Sequence, residues 1–278
     1  MVSDSITIAS LQKKKEKGEK ITVLTAHDYP FARLADIAGI DCILVSDVLG
    51  QVGLGYSTTI PVSLEEMVHH TKAVCRGVSH AFVIAKMPFL EVAAPFRDIL
   101  KSVKILVKEA GAQALEVEGD KEIIPIVQKL VRAGIPIMPH IGATAQDFMR
   151  TGQFQLKGKT AEATRKLSDL AHSLQDAGAF AIMLECVPVE TADILSRALQ
   201  IPVLGVGSGA ECDGQILVMH DMLGLYEKFL PKFVKVYCDL SEEITSALKA
   251  FTADVKNGKF PGSEHSYNMA VEELEKIK

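Results

Sequence analysis

AGIDCILVSD, from Ala38 to Asp47, carries the pattern on which the fold turns. An Ala-Gly pair is followed at once by a short apolar run, and the run closes on a polar residue. The same order recurs at Ala110-Gly111 into AQALEVEG, Ala133-Gly134 into IPIMPH and Ala177-Gly178 into AFAIMLE, with Arg76-Gly77 into VSHAFVIAK as a near variant. Glycine just past a helix takes the left-handed conformation without a Cβ penalty, so each copy reads as helix end, turn and strand. A run apolar on both faces suits a parallel strand covered by helices, and its polar C-terminal end lies where α/β folds place their chemistry.

Three further runs complete the count: ITVLTAHD from Ile21 to Asp28, PVLGVGSG from Pro202 to Gly209 and FVKVYCD from Phe233 to Asp239. That makes eight. Between them, Ser63 to Arg76 has helical periodicity with Leu64, Met67, Val68, Thr71, Val74 and Cys75 on one face, and Ser63 with Glu66 forms a capping box. Thr160 to Ala177 is a second clear helix. Eight strands alternating with helices favour a closed (β/α)8 TIM barrel over an open doubly wound sheet.

The chain of 278 residues is expected to form one barrel domain over 1–278, with an N-terminal helical extension at 1–20 and a C-terminal helical segment at 240–278. At 48% hydrophobic residues it can bury a large core, and no apolar stretch is long enough to span a bilayer. The N-terminus has the reverse of a secretory signal's charge order, so a cytoplasmic location without a membrane partner is expected. A net charge of −5 argues against nucleic acid, and the basic run Lys13 to Lys20, interleaved with Glu16 and Glu19, reads as a solvated helix. The five cysteines show no C-x-x-C spacing and read as reduced thiols, with Cys42 and Cys238 placed in strands.

At the strand ends stand Asp28, Asp47, Lys86, Glu116 with Glu118, His140, Glu185 and the glycines 205, 207 and 209. So many carboxylates at one mouth cannot all ionise cheaply, and either a divalent metal or an ammonium should sit among them. Hard oxygen ligands would suit magnesium rather than zinc. A single such carboxylate is as readily a helix cap or an arginine partner. GVGSG is as well explained by tight packing as by phosphate binding, and His69 and His70, adjacent on one helix, cannot share a face.

The blocks TAHDYPFARLADIAGIDCILVSDVLGQVGLGY, TTIPVSLEEMVHHTKAVCRG, GKTAEA, FAIMLECVPVE, IPVLGVGSGAECDGQILVMHD and FPGSEHS resemble the ketopantoate hydroxymethyltransferase family, from about Ile21 to Ser266. The resemblance implies a barrel of the phosphoenolpyruvate/pyruvate type in a large homo-oligomer, typically a decamer. It implies hydroxymethyl transfer from methylenetetrahydrofolate to 2-oxoisovalerate through an enolate, with Mg2+ holding the 2-oxo acid. It puts the base at Glu185 and metal ligands at Asp47 and Glu118; the expected substrate contacts are Asp47, Lys86, Glu116 and His140. His265, in GSEHS, matches a tail motif of no derivable role.

Several positions depart from that pattern. Lys86 stands where the family has a second metal-binding aspartate, Glu116 where it has a substrate-holding lysine, and Val48 where it has a serine. His27 replaces a tyrosine, and GQFQLKG from Gly152 to Gly158 replaces a more usual GGYKVQG. Lys86 and Glu116 read as an exchange of charge between neighbouring strands, able to pair across one strand spacing. An ammonium has no lone pair for a metal, so either magnesium binds through Asp47, Glu118 and water, or the Lys86 ammonium takes the cation's place. Aldolase or lyase chemistry on another 2-oxo acid, and a non-catalytic binding subunit, stay open beside the transferase reading.

Overall fold

The computed structural model describes residues 5–152, 155–226 and 230–277; Gln153 and Phe154 of GQFQLKG lie outside them, as do the ends of the expected 1–278 unit. In chain order the elements are α1 (Ile8–Lys17), β1 (Ile21–Thr25), α2 (Tyr29–Ile37), β2 (Cys42–Val45), α3 (Leu49–Val52), α4 (Leu64–Gly77), β3 (Phe82–Lys86), α5 (Phe96–Lys104), β4 (Ala114–Glu118) and α6 (Ile124–Arg132). They continue with β5 (Ile137–Gly142), α7 (Ala145–Thr151), α8 (Ala161–Asp176), β6 (Ile182–Glu185), α9 (Val189–Ala198), β7 (Val203–Val206), β8 (Gly214–Leu217), α10 (Met219–Met222), α11 (Leu240–Lys256) and α12 (Val271–Glu275). Each strand pairs in parallel with its sequence neighbours, and β8 closes on β1 through Ile21–Gly214 to Leu24–Leu217. The barrel expected from the eight runs is thus present.

One of the eight runs was misplaced. The last strand is Gly214–Leu217, and Phe233–Asp239 is not a strand. Gly214 marks the reason: a Cβ there would collide with the Ile21 carbonyl and side chain and with Leu204, so closure against β1 and β7 requires glycine. FVKVYCD instead runs outside the barrel, with Phe233 lying over Gly207 and the Tyr237 amide donating to the Met222 carbonyl at 2.8 Å. Cys238 therefore sits in a loop, while Cys42 is in β2 as expected, and all five cysteines are free.

Alternation along the strands divides the core in two. Ile43, Val45, Val83, Leu115, Val117, Ile182 and Leu184 face the helices, whereas Val23, Leu44, Phe82, Ile84, Ala114, Met138, Met183, Leu204 and Ile216 fill the barrel interior. The interior is apolar below and charged above. α1 closes the lower end: Leu11 is buried, Lys14 pairs with Asp41 at 2.6 Å and Lys15 with Asp213 at 2.6 Å, and Lys20 donates to the Ala210 and Cys212 carbonyls. The basic run is thus partly a plug held by ion pairs, not merely a solvated face.

The helix caps agree with the residues that suggested them. Ser63 Oγ accepts from the Glu66 amide, and Glu66 Oε2 accepts from the Ser63 amide at 2.7 Å, closing the capping box of α4. Thr160 caps α8. The glycines of GVGSG serve packing, since a Cβ at Gly205 would meet Cys212 and one at Gly209 would meet Val189. α11 is different: its 17 residues include none that is buried.

Candidate active site

The polar residues that end β2 through β6 converge at the upper end of the barrel. Register places Lys86 opposite Glu116, Glu118 opposite His140, and Gly142 opposite Glu185. Glu116 and Glu118 are two apart on β4 and so share its inward face. Asp47, one residue past Ser46 at the end of β2, faces the same space.

Lys86 is the centre of this arrangement. Its Nζ donates to Glu118 Oε2 at 2.8 Å and lies 3.1 Å from Asp47 Oδ1 and 3.8 Å from Glu116 Oε1. The expected Lys86–Glu116 pair is therefore the longest of three contacts, because the lysine stem carries the ammonium up to the level of Glu118. Burial alone would depress the amine, but Asp47, Glu118 and Glu116 hold its pKa well above the ordinary lysine value. Lys86 is an ammonium at every pH of interest.

Glu116 turns to His140 instead. His140 Nδ1 lies 3.2 Å from Glu116 Oε1 and its Nε2 lies 3.0 Å from Glu185 Oε2, ion-pair distances at angles short of formed hydrogen bonds. Burial opposes a charge on the ring, yet the two carboxylates win and push its pKa up to about 10, so it is an imidazolium at neutral pH. Four carboxylates thus surround two cations, and full ionisation would leave two negative charges in excess. Asp47 relieves part of this: burial first, then Glu116 and Glu118, raise its pKa against the pull of Lys86.

Glu185 is the exposed end of the chain of contacts, with a side chain 22% accessible against 8% or less for Asp47, Glu116 and Glu118. Its backbone is pinned on both sides. The Ala143 amide donates to the Glu185 carbonyl at 2.9 Å, the Cys186 amide to the Val206 carbonyl at 2.8 Å, and Ser208 Oγ to the Leu184 carbonyl at 2.7 Å. Cys186 takes a left-handed φ of 50°, a conformation costing a non-glycine residue about 1 kcal/mol or more, and this turns the chain away directly after the carboxylate. Gly142, at φ 108°, lies so close that a Cβ would strike the Glu185 carbonyl.

Other candidates have different roles. Asp28 caps α2, accepting from the Phe31 amide at 2.8 Å, so the bland reading holds for that strand end. His27 is buried and stacks on His220 at 5.9 Å; burial, then His220 and His70, push its pKa down to about 3 and keep it neutral. His70 Nδ1 meets the His27 carbonyl at 2.5 Å, and His265 accepts from the Gly262 amide at 3.3 Å and packs on Phe260. Val48 offers no hydroxyl, and the neighbouring Ser46 Oγ lies 3.3 Å from Asp47 Oδ1. Ser46 and Gly142 were not singled out from sequence; the SD pair closing the AGIDCILVSD run and the IG pair after His140 were the available signals.

A cavity of about 500 Å³ opens beside these strand ends, between β4, β5 and α8, lined by Gly119, Gly142, Thr144, Lys157 and Lys166 among others. The expected magnesium site does not fit the residues present. Asp47 and Glu118 do come together, but around an ammonium that has no lone pair, and among the described residues no three His, Cys, Asp or Glu side chains are arranged to hold a metal ion.

Comparison with known proteins agrees with this architecture. The family model described as ketopantoate hydroxymethyltransferase matches residues 5–263. A relative from Carboxydothermus hydrogenoformans, 3-methyl-2-oxobutanoate hydroxymethyltransferase, is 49% identical over 99% of both chains, and one of the same name from Moorella thermoacetica is 47% identical over 94% of this chain and 97% of its own. In fold, the chain is similar to 2,3-dimethylmalate lyase, a PEP mutase/isocitrate lyase superfamily member, with a TM-score of 0.53 at 14% identity over 100% of this chain and 95% of that one. Over nearly its whole length, the chain belongs to the ketopantoate hydroxymethyltransferase family.

Proposed function

We propose that the chain transfers a hydroxymethyl group from methylenetetrahydrofolate to 3-methyl-2-oxobutanoate, the 2-oxo acid in its relatives' name, forming ketopantoate. The observation that carries this reading is Glu185: a carboxylate at the open end of a buried ion chain, 3.0 Å from an imidazolium that Glu116 holds from behind. Glu185 takes the C3 proton of the acid, and the electron pair moves into the enolate. C3 then bonds to the methylene carbon, both carbon–nitrogen bonds of the donor break, and water supplies the hydroxyl oxygen. The two folate nitrogens take one proton from C3 and one from that water, which balances the step.

His140 keeps Glu185 aimed through their 3.0 Å contact, and it receives no proton itself while it is already charged. The cavity between β5 and α8 has a volume suited to a folate-sized ligand, and Lys157 and Lys166 on its wall suit a carboxylate-bearing donor. The chain works as a homo-oligomer in this reading, supported by the uncovered apolar stripe of α11. The exchange of the C3 hydrogen for deuterium, followed by NMR in heavy water without folate, isolates the first step. Wild type should exchange, and Glu185→Gln should slow exchange by about 10²- to 10⁴-fold. A wild type that does not exchange, or a variant that exchanges equally, refutes the assignment.

A further inference from the structure

The least expected feature of the site is where Lys86 puts its charge. Asp47, Glu116 and Glu118 come from two different strands, and all three direct an oxygen at one ammonium that is itself almost wholly buried. Four carboxylates crowded at a barrel mouth require a cation of some kind. Here the chain provides it covalently. Two N–H groups meet oxygens within 3.1 Å, while Glu116 at 3.8 Å is beyond hydrogen-bond length, so the ammonium retains capacity for one further acceptor.

A divalent ion would meet two obstacles at this point. It would approach a fixed positive charge in surroundings of low dielectric, where like charges repel strongly, and it would compete with Lys86 for the same Asp47 and Glu118 oxygens. Lysine also cannot join the ligand set while protonated. Asp47 Oδ2 and Glu116 Oε2 are buried without a hydrogen-bond partner, so acceptors remain that a bound ion could in principle seek. That makes ion binding the decisive measurement.

We propose that Lys86 is the resident cation of this site, that it holds the oxo acid and its enolate through the remaining N–H, and that the chain needs no divalent metal. The inference rests on the transferase reading above for its substrate, but not for its ion. A monovalent ammonium stabilises enolate charge less than a divalent ion does, so turnover slower than a metal-loaded site would allow is the cost.

Manganese binding, followed by electron paramagnetic resonance on chelator-treated protein, tests the ion directly. Wild type should bind Mn2+ no more tightly than about 1 mM, and the paired exchange Lys86→Asp/Glu116→Lys should bind it at least about tenfold more tightly. In parallel, C3 deuterium exchange by chelated wild type should equal that in added Mg2+, and Lys86→Met should lose it. Stoichiometric Mn2+ binding by wild type that Asp47→Asn removes overturns the proposal, even if the paired variant does not fold. Exchange that appears only on adding Mg2+ also overturns it. Absence of exchange under every condition, with no Mn2+ bound, refutes the transferase reading and leaves the ion assignment standing.

Discussion

Gly142 shows how much the site depends on single atoms. A methyl group at that position would push on the Glu185 carbonyl at a φ that side chains rarely adopt, so Gly142→Ala should destabilise the fold by about 1–3 kcal/mol. The displaced Glu185 should also lose about 10²-fold in kcat, given how steeply rates fall with a misplacement of about 1 Å. Steady-state kinetics beside thermal unfolding checks both; full activity in a destabilised variant would show that Gly142 serves folding alone. Glu185, His140 and Lys86 were legible in the sequence because each ends an apolar run. Which carboxylate each cation takes was not, since that depends on how far a side chain leans toward the mouth. Register set Lys86 beside Glu116, yet stem length brought it nearest to Glu118.

Among the elements, α2 and β3 are tied by one buried carboxylate. Asp36 accepts backbone N–H groups from Ser79, His80 and Ala81 at 3.0, 2.9 and 2.8 Å. Burial opposes its ionisation, but these donors outweigh that and lower its pKa below the ordinary aspartate value. A depressed pKa gives stability that is present above the unfolded value, about 3.9, and lost as pH falls through the folded value. Asp36→Asn should therefore cost about 1–3 kcal/mol at neutral pH, and the gap to wild type should close below about pH 4. Denaturant unfolding at several pH values reads this, and a gap independent of pH contradicts it. Helices with caps, such as α4 and α8, were readable because a cap is a local bond between near neighbours. β8 was not, because four residues led by a glycine carry little strand signal, whereas FVKVYCD alternates convincingly but finds no neighbouring edge.

For the molecule as a whole, α11 is the longest helix with no buried residue. Ile244, Leu248, Phe251 and Val255 recur at helical spacing, and all are exposed. If copies of this chain cover that stripe, Leu248→Asp with Phe251→Asp should reduce the mass seen by light scattering to that of one chain while leaving the helical signal unchanged. A monomeric wild type would refute the homo-oligomer. Strands β2 to β6 were plain from the repeated Ala-Gly pairs and their Arg-Gly variant, and β1 and β7 from their apolar runs; assembly was not, because an amphipathic stripe does not say what covers it.

The register of Lys86 against Glu116 also bears on descent. An aspartate with a lysine, and a lysine with a glutamate, are both balanced arrangements for these two facing positions. Passage between them one residue at a time is costly: Lys86→Asp alone gathers four uncompensated carboxylates, and Glu116→Lys alone sets two ammonium groups face to face. Leaving such a charge without its partner costs about 3–5 kcal/mol, a large part of a domain's total stability. Each single change is therefore costly unless another cation compensates for it.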